Sequence, residues 1–339
     1  MITGGTNKQQ GEPQQKTICP LKTARSHVDV LVSLDFNPPV LLPAMAEITM
    51  CEPGELYNLL NQRRCVSRLA EINYLCLIDA QETQDYSTGH IVTAKNVKMG
   101  ADGSCYLPDA VEIDSMQHIV VYDSNTSCLL EQGRAVNCAQ VLAKSSSHPV
   151  QILTGGFRTF SALYPFLRTE KILYTITELE NLTIYPVEII SGLLYMGDQK
   201  QSQDANTLKD LKISATVNLS HFTQNDSAEG TQVILNIPVA DDVESDLYSS
   251  FQTVCCFISS HINAGSRVLI VSRQGRSRCS AVAIAFLMDR FKYTLEDAWR
   301  HMIKCKPTMR PNTGFLQQLC DWEVHTMGRK HTDLSKAQF

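Results

Sequence analysis

Near residue 270 the chain places a buried strand, a short glycine-containing loop and a buried helix in direct succession. Residues 267–271 form an apolar run of strand length, and residues 281–288 are apolar on every side. A continuous apolar run is typical of a strand covered on both faces of a sheet, and an all-apolar helix lies inside a domain. The pattern therefore predicts an α/β domain with this strand and this helix in its core.

The loop that joins them has the features of an anion site. The free backbone N–H groups at the start of a helix, together with the helix dipole, attract negative charge. Gly275 allows a close backbone approach, and the planar guanidinium of Arg278 is suited to grip two phosphate oxygens. The predicted phosphate-binding residues are Ser272, Arg273, Gln274, Gly275, Arg276, Ser277 and Arg278.

The loop resembles the His-Cys-x-x-Gly-x-x-Arg motif of cysteine-dependent phosphatases, with Val271 at the His position and Ser272 at the Cys position. Those enzymes use a thiolate whose pKa falls to about 3.5–7.5. A serine needs an adjacent base, and the loop offers none. The resemblance implies a loop that holds phosphate without cleaving it, with turnover lower by about a million-fold. Cys279 adjoins the loop, and we expect it to point along the helix and away from phosphorus.

Two interpretations of the loop remain open. It binds a ligand, or it persists only because it joins a core strand to a core helix, with Arg278 satisfied by an internal carboxylate. Asp241 stands where the resembled enzymes keep a general acid, which has no reaction to assist without a nucleophile. We therefore expect a solvated acidic loop, with Ser245 or Asp246 capping the next helix, made of Asp241, Asp242, Glu244 and Asp246.

Between residues 50 and 170 short apolar strands alternate with helical segments, which predicts a parallel sheet covered on both faces. Strands are predicted at 75–79, 119–123 and 150–153, and helices near 54–62, 131–144 and 158–167. His90 is interpreted as a hydrogen-bonded structural residue, and Gly155-Gly156 as a turn with positive φ.

With the segment Tyr86 to Ile91, these elements resemble a rhodanese-like domain. Active rhodaneses carry their sulfur-bearing cysteine at the end of the middle strand. This chain has Asp123 there, so sulfur transfer is excluded on chemical grounds, and Cys128 lies beyond the loop.

Residues 183–328 resemble a dual-specificity phosphatase domain through the strand at 215–219, the acid loop at 237–241 and the helix start at 310–319. A rhodanese-like domain without its cysteine, followed by such a domain, resembles the layout of the MAP kinase phosphatases, here as a pseudophosphatase. The predicted organisation is a disordered extension (1–44), a rhodanese-like domain (45–170), a linker (171–182), an inactive phosphatase-like domain (183–328) and a flexible tail (329–339).

The resembled enzymes carry a basic docking cluster after the second strand of the rhodanese-like domain. The corresponding segment, Asn96 to Tyr106, has only Lys95 and Lys98 nearby, which argues against MAP kinase docking. Arg63-Arg64 and Arg68 precede the first predicted strand and are interpreted as a solvated helix end.

Composition excludes several function classes. The formal net charge of -5 and the pI near 6.0 give no electrostatic basis for direct nucleic-acid binding. The 12 cysteines contain no C-x-x-C pair and are interpreted as reduced thiols, so we predict no metal and no cofactor. No apolar run approaches the ~18 residues that span a bilayer, and we expect a cytoplasmic location.

The resemblance implies regulation by binding phosphoproteins or the partners of active phosphatases. It also implies a stress-granule nucleating protein and a mitochondrial tyrosine phosphatase as partners, with roles in stress-granule assembly and mitochondrial apoptosis. Two alternatives stay open: a scaffold that uses surfaces outside the pocket, and a very weak phosphatase that uses Ser272 or Cys279.

Overall fold

The computed structural model of the protein describes residues 46–100, 104–106, 112–173, 175–221 and 232–335. The predicted disordered extension, residues 1–44, lies outside these ranges. Among the described residues, no helix combines the length and apolar character needed to cross a lipid bilayer.

The N-terminal half contains a five-stranded, all-parallel sheet in the order β1-β8-β7-β2-β4. The predicted strands at 75–79 and 150–153 are confirmed, the one at 119–123 begins and ends one residue earlier, and β1 was not predicted. Two pairs of short antiparallel strands, β3 with β9 and β5 with β6, flank the sheet. The strands are β1 (Ile48–Cys51), β2 (Leu75–Asp79), β3 (His90–Ile91), β4 (Lys95–Asn96), β5 (Lys98–Met99), β6 (Cys105–Tyr106), β7 (His118–Tyr122), β8 (Val150–Leu153) and β9 (Arg168–Thr169).

The helices of this half cover the sheet, as the alternation of strands and helices predicts. Residues 53–60 fold into a two-turn helix because Pro53 fixes a helical φ at its start and Glu52 and Glu55 form a capping box. The helices are α1 (Pro53–Leu60), α2 (Thr83–Thr88), α3 (Arg134–Leu142), α4 (Gly156–Leu163) and α5 (Ile176–Glu180), the last of which lies in the predicted linker.

The second half contains a five-stranded sheet in the order β10-β11-β14-β12-β13, in which only β10 is antiparallel to its neighbour. The apolar run at 267–271 forms the central strand, as predicted. A buried, continuous apolar strand belongs in the middle of a parallel sheet because both of its faces are covered. The strands are β10 (Val187–Ile190), β11 (Leu194–Asp198), β12 (Ile213–Asn218), β13 (Val233–Asn236) and β14 (Arg267–Ser272).

One helix of this half runs through the core. Its residues Ala281 to Met288 are each no more than 1% exposed, which confirms the prediction from their all-round apolar character. The helices are α6 (Gln199–Gln203), α7 (Ala205–Asp210), α8 (Tyr248–Asn263), α9 (Arg278–Phe291), α10 (Leu295–Cys305) and α11 (Thr313–Met327). Asp246 accepts a hydrogen bond from the Ser249 amide in the first turn of α8.

The protein is therefore α/β in both halves, each with a parallel or mostly parallel sheet. The two sheets share one cluster of buried side chains, which includes Tyr57 and Tyr164 from the first half and Tyr195 and Leu269 from the second. Part of the segment predicted as a flexible tail is bound to α11, because the Glu323 carboxylate accepts hydrogen bonds from Thr332 and His331.

Candidate phosphate-binding site

A cavity of about 530 Å³ opens where the parallel strands of the second sheet end. Side chains collect there because the carboxyl ends of parallel strands lie at the same edge, the usual place for a ligand in such sheets. Five of the residues predicted to bind phosphate line it: Ser272, Arg273, Gln274, Arg276 and Arg278. Sequence reasoning missed four others, Gln199, Ser220, His221 and Ala240, which follow the ends of β11, β12 and β13. For Ser220 and His221 the signal available in the sequence was their position just after the predicted strand at 215–219, and Ala240 lies within the predicted acid loop at 237–241.

Gly275 is required by the loop's own packing. Its φ is +62°, and a methyl group there would lie 2.5 Å from the carbonyl oxygen of Gly197. The close backbone approach predicted at Gly275 is thus made to the end of β11, and Gly275 does not line the cavity. The phosphate loop rests directly on the Gly197-Asp198 backbone.

Ser272, at the nucleophile position, is 2% exposed and accepts a hydrogen bond from the Cys279 thiol at 2.9 Å. Burial raises the pKa of Cys279 to about 12, so the thiol is neutral at physiological pH. Within the described chain, no carboxylate or imidazole hydrogen-bonds to Ser272. Cys279 lies beneath the loop, outside the cavity lining, which agrees with the expectation that it does not point at phosphorus.

Arg278 is fixed at the inner wall of the cavity. One terminal nitrogen donates to the carbonyl oxygens of Leu219 and Val239, both at 2.8 Å. Its Nε is buried and makes no hydrogen bond to any described residue, while the nearest carboxylate oxygen, Oδ2 of Asp241, lies 3.7 Å away. A buried donor without a partner is costly, and a bound oxyanion would satisfy it. Ser220 Oγ, also in the lining, is a second buried polar atom without a hydrogen bond.

Asp241 is exposed, as predicted for the acidic loop, but it is also hydrogen-bonded to the phosphate loop, which the prediction did not include. Its Oδ1 accepts from Ser277 Oγ at 2.6 Å and from Asn312 Nδ2 at 3.1 Å. Ser277 therefore points toward Asp241 and is not part of the cavity lining, although the sequence placed it among the phosphate ligands. Hydrogen bonds between residues far apart in sequence therefore hold Asp241 against the phosphate loop.

The first half carries the second loop singled out in the sequence, just after β7. The Asp123 carboxylate, 7% exposed, accepts hydrogen bonds from the amides of Asn125, Thr126 and Ala135 and from the Thr126 hydroxyl, at 2.7–3.1 Å. Burial by itself raises the pKa of Asp123, but these hydrogen bonds outweigh it and bring the pKa below its usual value. The carboxylate occupies the centre of its own loop.

The neighbouring residues have the structural roles that the sequence predicted. Gly155 and Gly156 have φ of +73° and +54°, and His90, 1% exposed, bonds the Tyr86 carbonyl oxygen at 3.0 Å. Cys128 is exposed and lies outside the set of groups that hold Asp123.

The basic residues near α1 are not a solvated helix end, which corrects the sequence interpretation. Arg68 pairs with Glu71 at 2.9 Å and stacks over the Tyr74 ring, because its long side chain can pack while its charge is paired. Arg63 forms an ion pair with Asp198 of the second half. Only Arg64, whose side chain is 70% exposed, matches the prediction.

Two family profiles match the two halves. Residues 52–163 match the rhodanese-like domain. Residues 194–325 match the catalytic domain of dual specificity phosphatases. The chain carries a rhodanese-like domain followed by a dual-specificity phosphatase domain. These two matches agree with the α/β architecture of both sheets.

Similar proteins include dual specificity protein phosphatase 16 of Homo sapiens, 26% identical over 269 residues, which are 73% of this chain and 40% of the relative. A probable rhodanese domain-containing dual specificity protein phosphatase of Dictyostelium discoideum is 29% identical over 186 residues, 54% of this chain and 39% of the relative. The chain thus spans about two fifths of each relative's length. Among solved structures, the human tyrosine phosphatase-like serine/threonine/tyrosine-interacting protein matches at 24% identity and a TM-score of 0.38, over 41% of this chain and 96% of that one.

Proposed function

We propose that this protein is a pseudophosphatase, of the serine/threonine/tyrosine-interacting-like kind, that binds phosphorylated side chains without cleaving them. The observation that carries the proposal is the buried Nε of Arg278, which has no hydrogen-bond partner among the described residues and belongs to the cavity wall. An oxyanion supplies the acceptor that this donor lacks.

The exchange of cysteine for serine favours binding over hydrolysis. A thiolate close to a phosphate dianion repels it by about 4 kcal/mol per pair of unit charges at an effective dielectric of 20. Ser272 is neutral, the only hydrogen-bond partner of its hydroxyl among the described residues is the neutral Cys279 thiol, and no described base is placed to remove its proton. Asp241 is bound to Ser277 and Asn312 and serves to hold the loop.

Weak hydrolysis is the competing function, since the two relatives are named as phosphatases. The two functions separate in a comparison of wild type with the triple variant Val271→His, Ser272→Cys, Cys279→Ser. Cys279 must be replaced as well, because its sulfur lies 2.9 Å from the Ser272 side-chain oxygen and would meet the introduced sulfur.

We expect wild type to retain a phosphotyrosine peptide and to leave an aryl phosphate intact, while the triple variant hydrolyses it faster by several orders of magnitude. Vanadate-sensitive hydrolysis by wild type would refute the pseudophosphatase assignment. If neither protein binds or hydrolyses, the loop is only a connection between β14 and α9.

The scaffold alternative is tested at Arg278. Arg278→Lys keeps the charge but removes the planar pair of donors, so peptide retention should fall by tenfold or more, since hydrogen bonds between charged groups contribute about 1.5–3 kcal/mol. Arg300→Lys is the matched control, because Arg300 is an exposed arginine on α10 with ion pairs of its own. If both variants retain the peptide equally well, the binding surface lies outside the cavity.

The proposed partners are phosphoproteins or the partners of active phosphatases, engaged in the cytoplasm. A stress-granule nucleating protein, a mitochondrial tyrosine phosphatase and roles in stress granules and apoptosis are carried by the family resemblance alone. MAP kinase docking is not proposed, because the segment after β4 lacks a basic cluster.

A further inference from the structure

The rhodanese-like domain covers the edge of the phosphatase sheet with helix α1. The Asn58 side chain bonds the backbone of Glu188 in both directions: Nδ2 donates to the carbonyl oxygen at 2.8 Å, and Oδ1 accepts from the amide at 2.7 Å. Tyr57 donates to the carbonyl oxygen of Pro186 at 2.7 Å. Asn58 thereby supplies the edge strand β10 with the hydrogen bonds that a neighbouring strand would make.

The contact is buried and its polar groups are paired. The Glu188 carboxylate, in a residue 3% exposed, accepts from Tyr164 of the rhodanese-like domain at 2.6 Å. It also accepts from Tyr195 at 3.0 Å and from the Gly192 amide at 2.7 Å. A buried charge with three donors and shared apolar surroundings fixes one relative position of the two domains.

Arg63, shortly after α1, extends this contact to the phosphate loop. Its guanidinium pairs with the carboxylate of Asp198, a residue only 4% exposed at the end of β11. Asp198 lies opposite Ser272 in the parallel register of β11 and β14, and Gly275 packs on the preceding carbonyl group. A rhodanese-domain cation therefore neutralises the acid on which the loop rests.

We propose that Arg63 is a positioning residue of the phosphate cavity, so that anion binding by the phosphatase-like domain depends on the rhodanese-like domain. The proposal rests on the proposed function, because it concerns the same cavity. Without Arg63 the Asp198 carboxylate keeps, among the described residues, only its hydrogen bond from the Gln201 amide and stands as an unpaired buried charge beside Ser272. That charge repels an incoming oxyanion and loosens the backbone under Gly275.

The test measures tungstate binding to the full-length protein by calorimetry. Arg63→Ala should weaken binding by about tenfold, the size of one uncompensated charge several ångström away. Arg64→Ala is the matched control: it removes the adjacent, exposed arginine and should leave binding unchanged. The double variant Arg63→Ala, Asp198→Asn should bind within about twofold of wild type, because the unpaired charge is gone. Equal binding by wild type and Arg63→Ala would overturn the proposal.

A second readout keeps the two proposals distinguishable if wild type fails to bind tungstate. Cys279 is fully buried beneath the loop, so its alkylation rate, followed by peptide mass spectrometry, reports loop opening without a ligand. Arg63→Ala should accelerate alkylation of Cys279 several-fold and leave Cys255, buried in α8, at its wild-type rate. If both rates rise together or neither rises, Arg63 has no specific effect on the loop and the proposal fails.

Discussion

Each of the two domains has a loop where the resembled enzymes carry a reactive cysteine and this chain has another residue, and the two loops differ in how their polar groups are satisfied. In the rhodanese-like loop, the Asp123 carboxylate is buried and accepts hydrogen bonds from the amides of Asn125 and Thr126 and from Ala135 of α3. In the phosphatase-like loop, Ser272 is too short and uncharged to do this, and the buried Nε of Arg278 makes no hydrogen bond to any residue that the structure describes. On the proposed function, the residue at the cysteine position of the resembled enzymes decides whether the groups of the loop are satisfied internally or stay available to a ligand.

The largest expected effect is on stability at the rhodanese-like loop. Asp123→Ala should lower the free energy of unfolding by about 3 to 5 kcal/mol, because three backbone amides and the Thr126 hydroxyl lose their acceptor inside the domain. Ser272→Ala should cost less than about 1 kcal/mol, since only the weak bond from the Cys279 thiol is lost. Urea denaturation of both variants measures the difference. Equal losses of unfolding free energy would contradict the proposed difference between the two loops.

A smaller effect on stability distinguishes a steric clash in the phosphate loop from the strain of a positive φ alone. Gly275→Ala should lower the free energy of unfolding by about 3 kcal/mol and abolish anion binding, because the new methyl group meets the Gly197 carbonyl oxygen. Gly192 also has a positive φ, but nothing lies within 4 Å of an added methyl group. Gly192→Ala should cost about 1 kcal/mol and leave binding intact. Similar behaviour of the two variants in melting and binding assays would contradict the packing of the loop on β11.

The smallest effect concerns pH, to which the loops respond at opposite ends of the scale. The pKa of Cys279 is raised by burial from 9.0 to about 12, so its stabilisation is complete below pH 9 and is lost as pH rises toward 12. The pKa of Asp123 is lowered, so its stabilisation is lost only as pH falls below its usual value. Between pH 9 and 10, Cys279→Ser should remove about 1 kcal/mol of the decline in unfolding free energy that wild type shows, because the unfolded thiol is already half ionised at pH 9. An unchanged decline would mean that Cys279 is not buried beneath the loop.

The sequence predicted those parts of the fold that depend on local patterns. β14 and α9 were identified because an apolar run and an all-apolar helix have few other places to lie, and Gly275 because the loop needs a close backbone approach. Side-chain directions in the loop were not predictable. Ser277 turns to Asp241, 36 residues earlier, and so does not line the cavity as predicted.

The domain contact could not be predicted for a related reason. Arg63 and Asp198 are 135 positions apart, and nothing in the local sequence of either residue indicates a partner. A basic pair after a helix is usually solvated, and Arg64 follows that rule while Arg63 does not. The difference arises because only one of two adjacent side chains faces the second domain.

The pairing of Asn58 with the edge of β10 has a practical consequence for fragments of this protein. A fragment that begins near residue 183 exposes both the unpaired backbone of β10 and the apolar face around Tyr195. Such an edge can recruit the same strand from another copy. Loss of peptide binding in that fragment would then reflect self-association, and the full chain is the smallest unit in which the cavity can be judged.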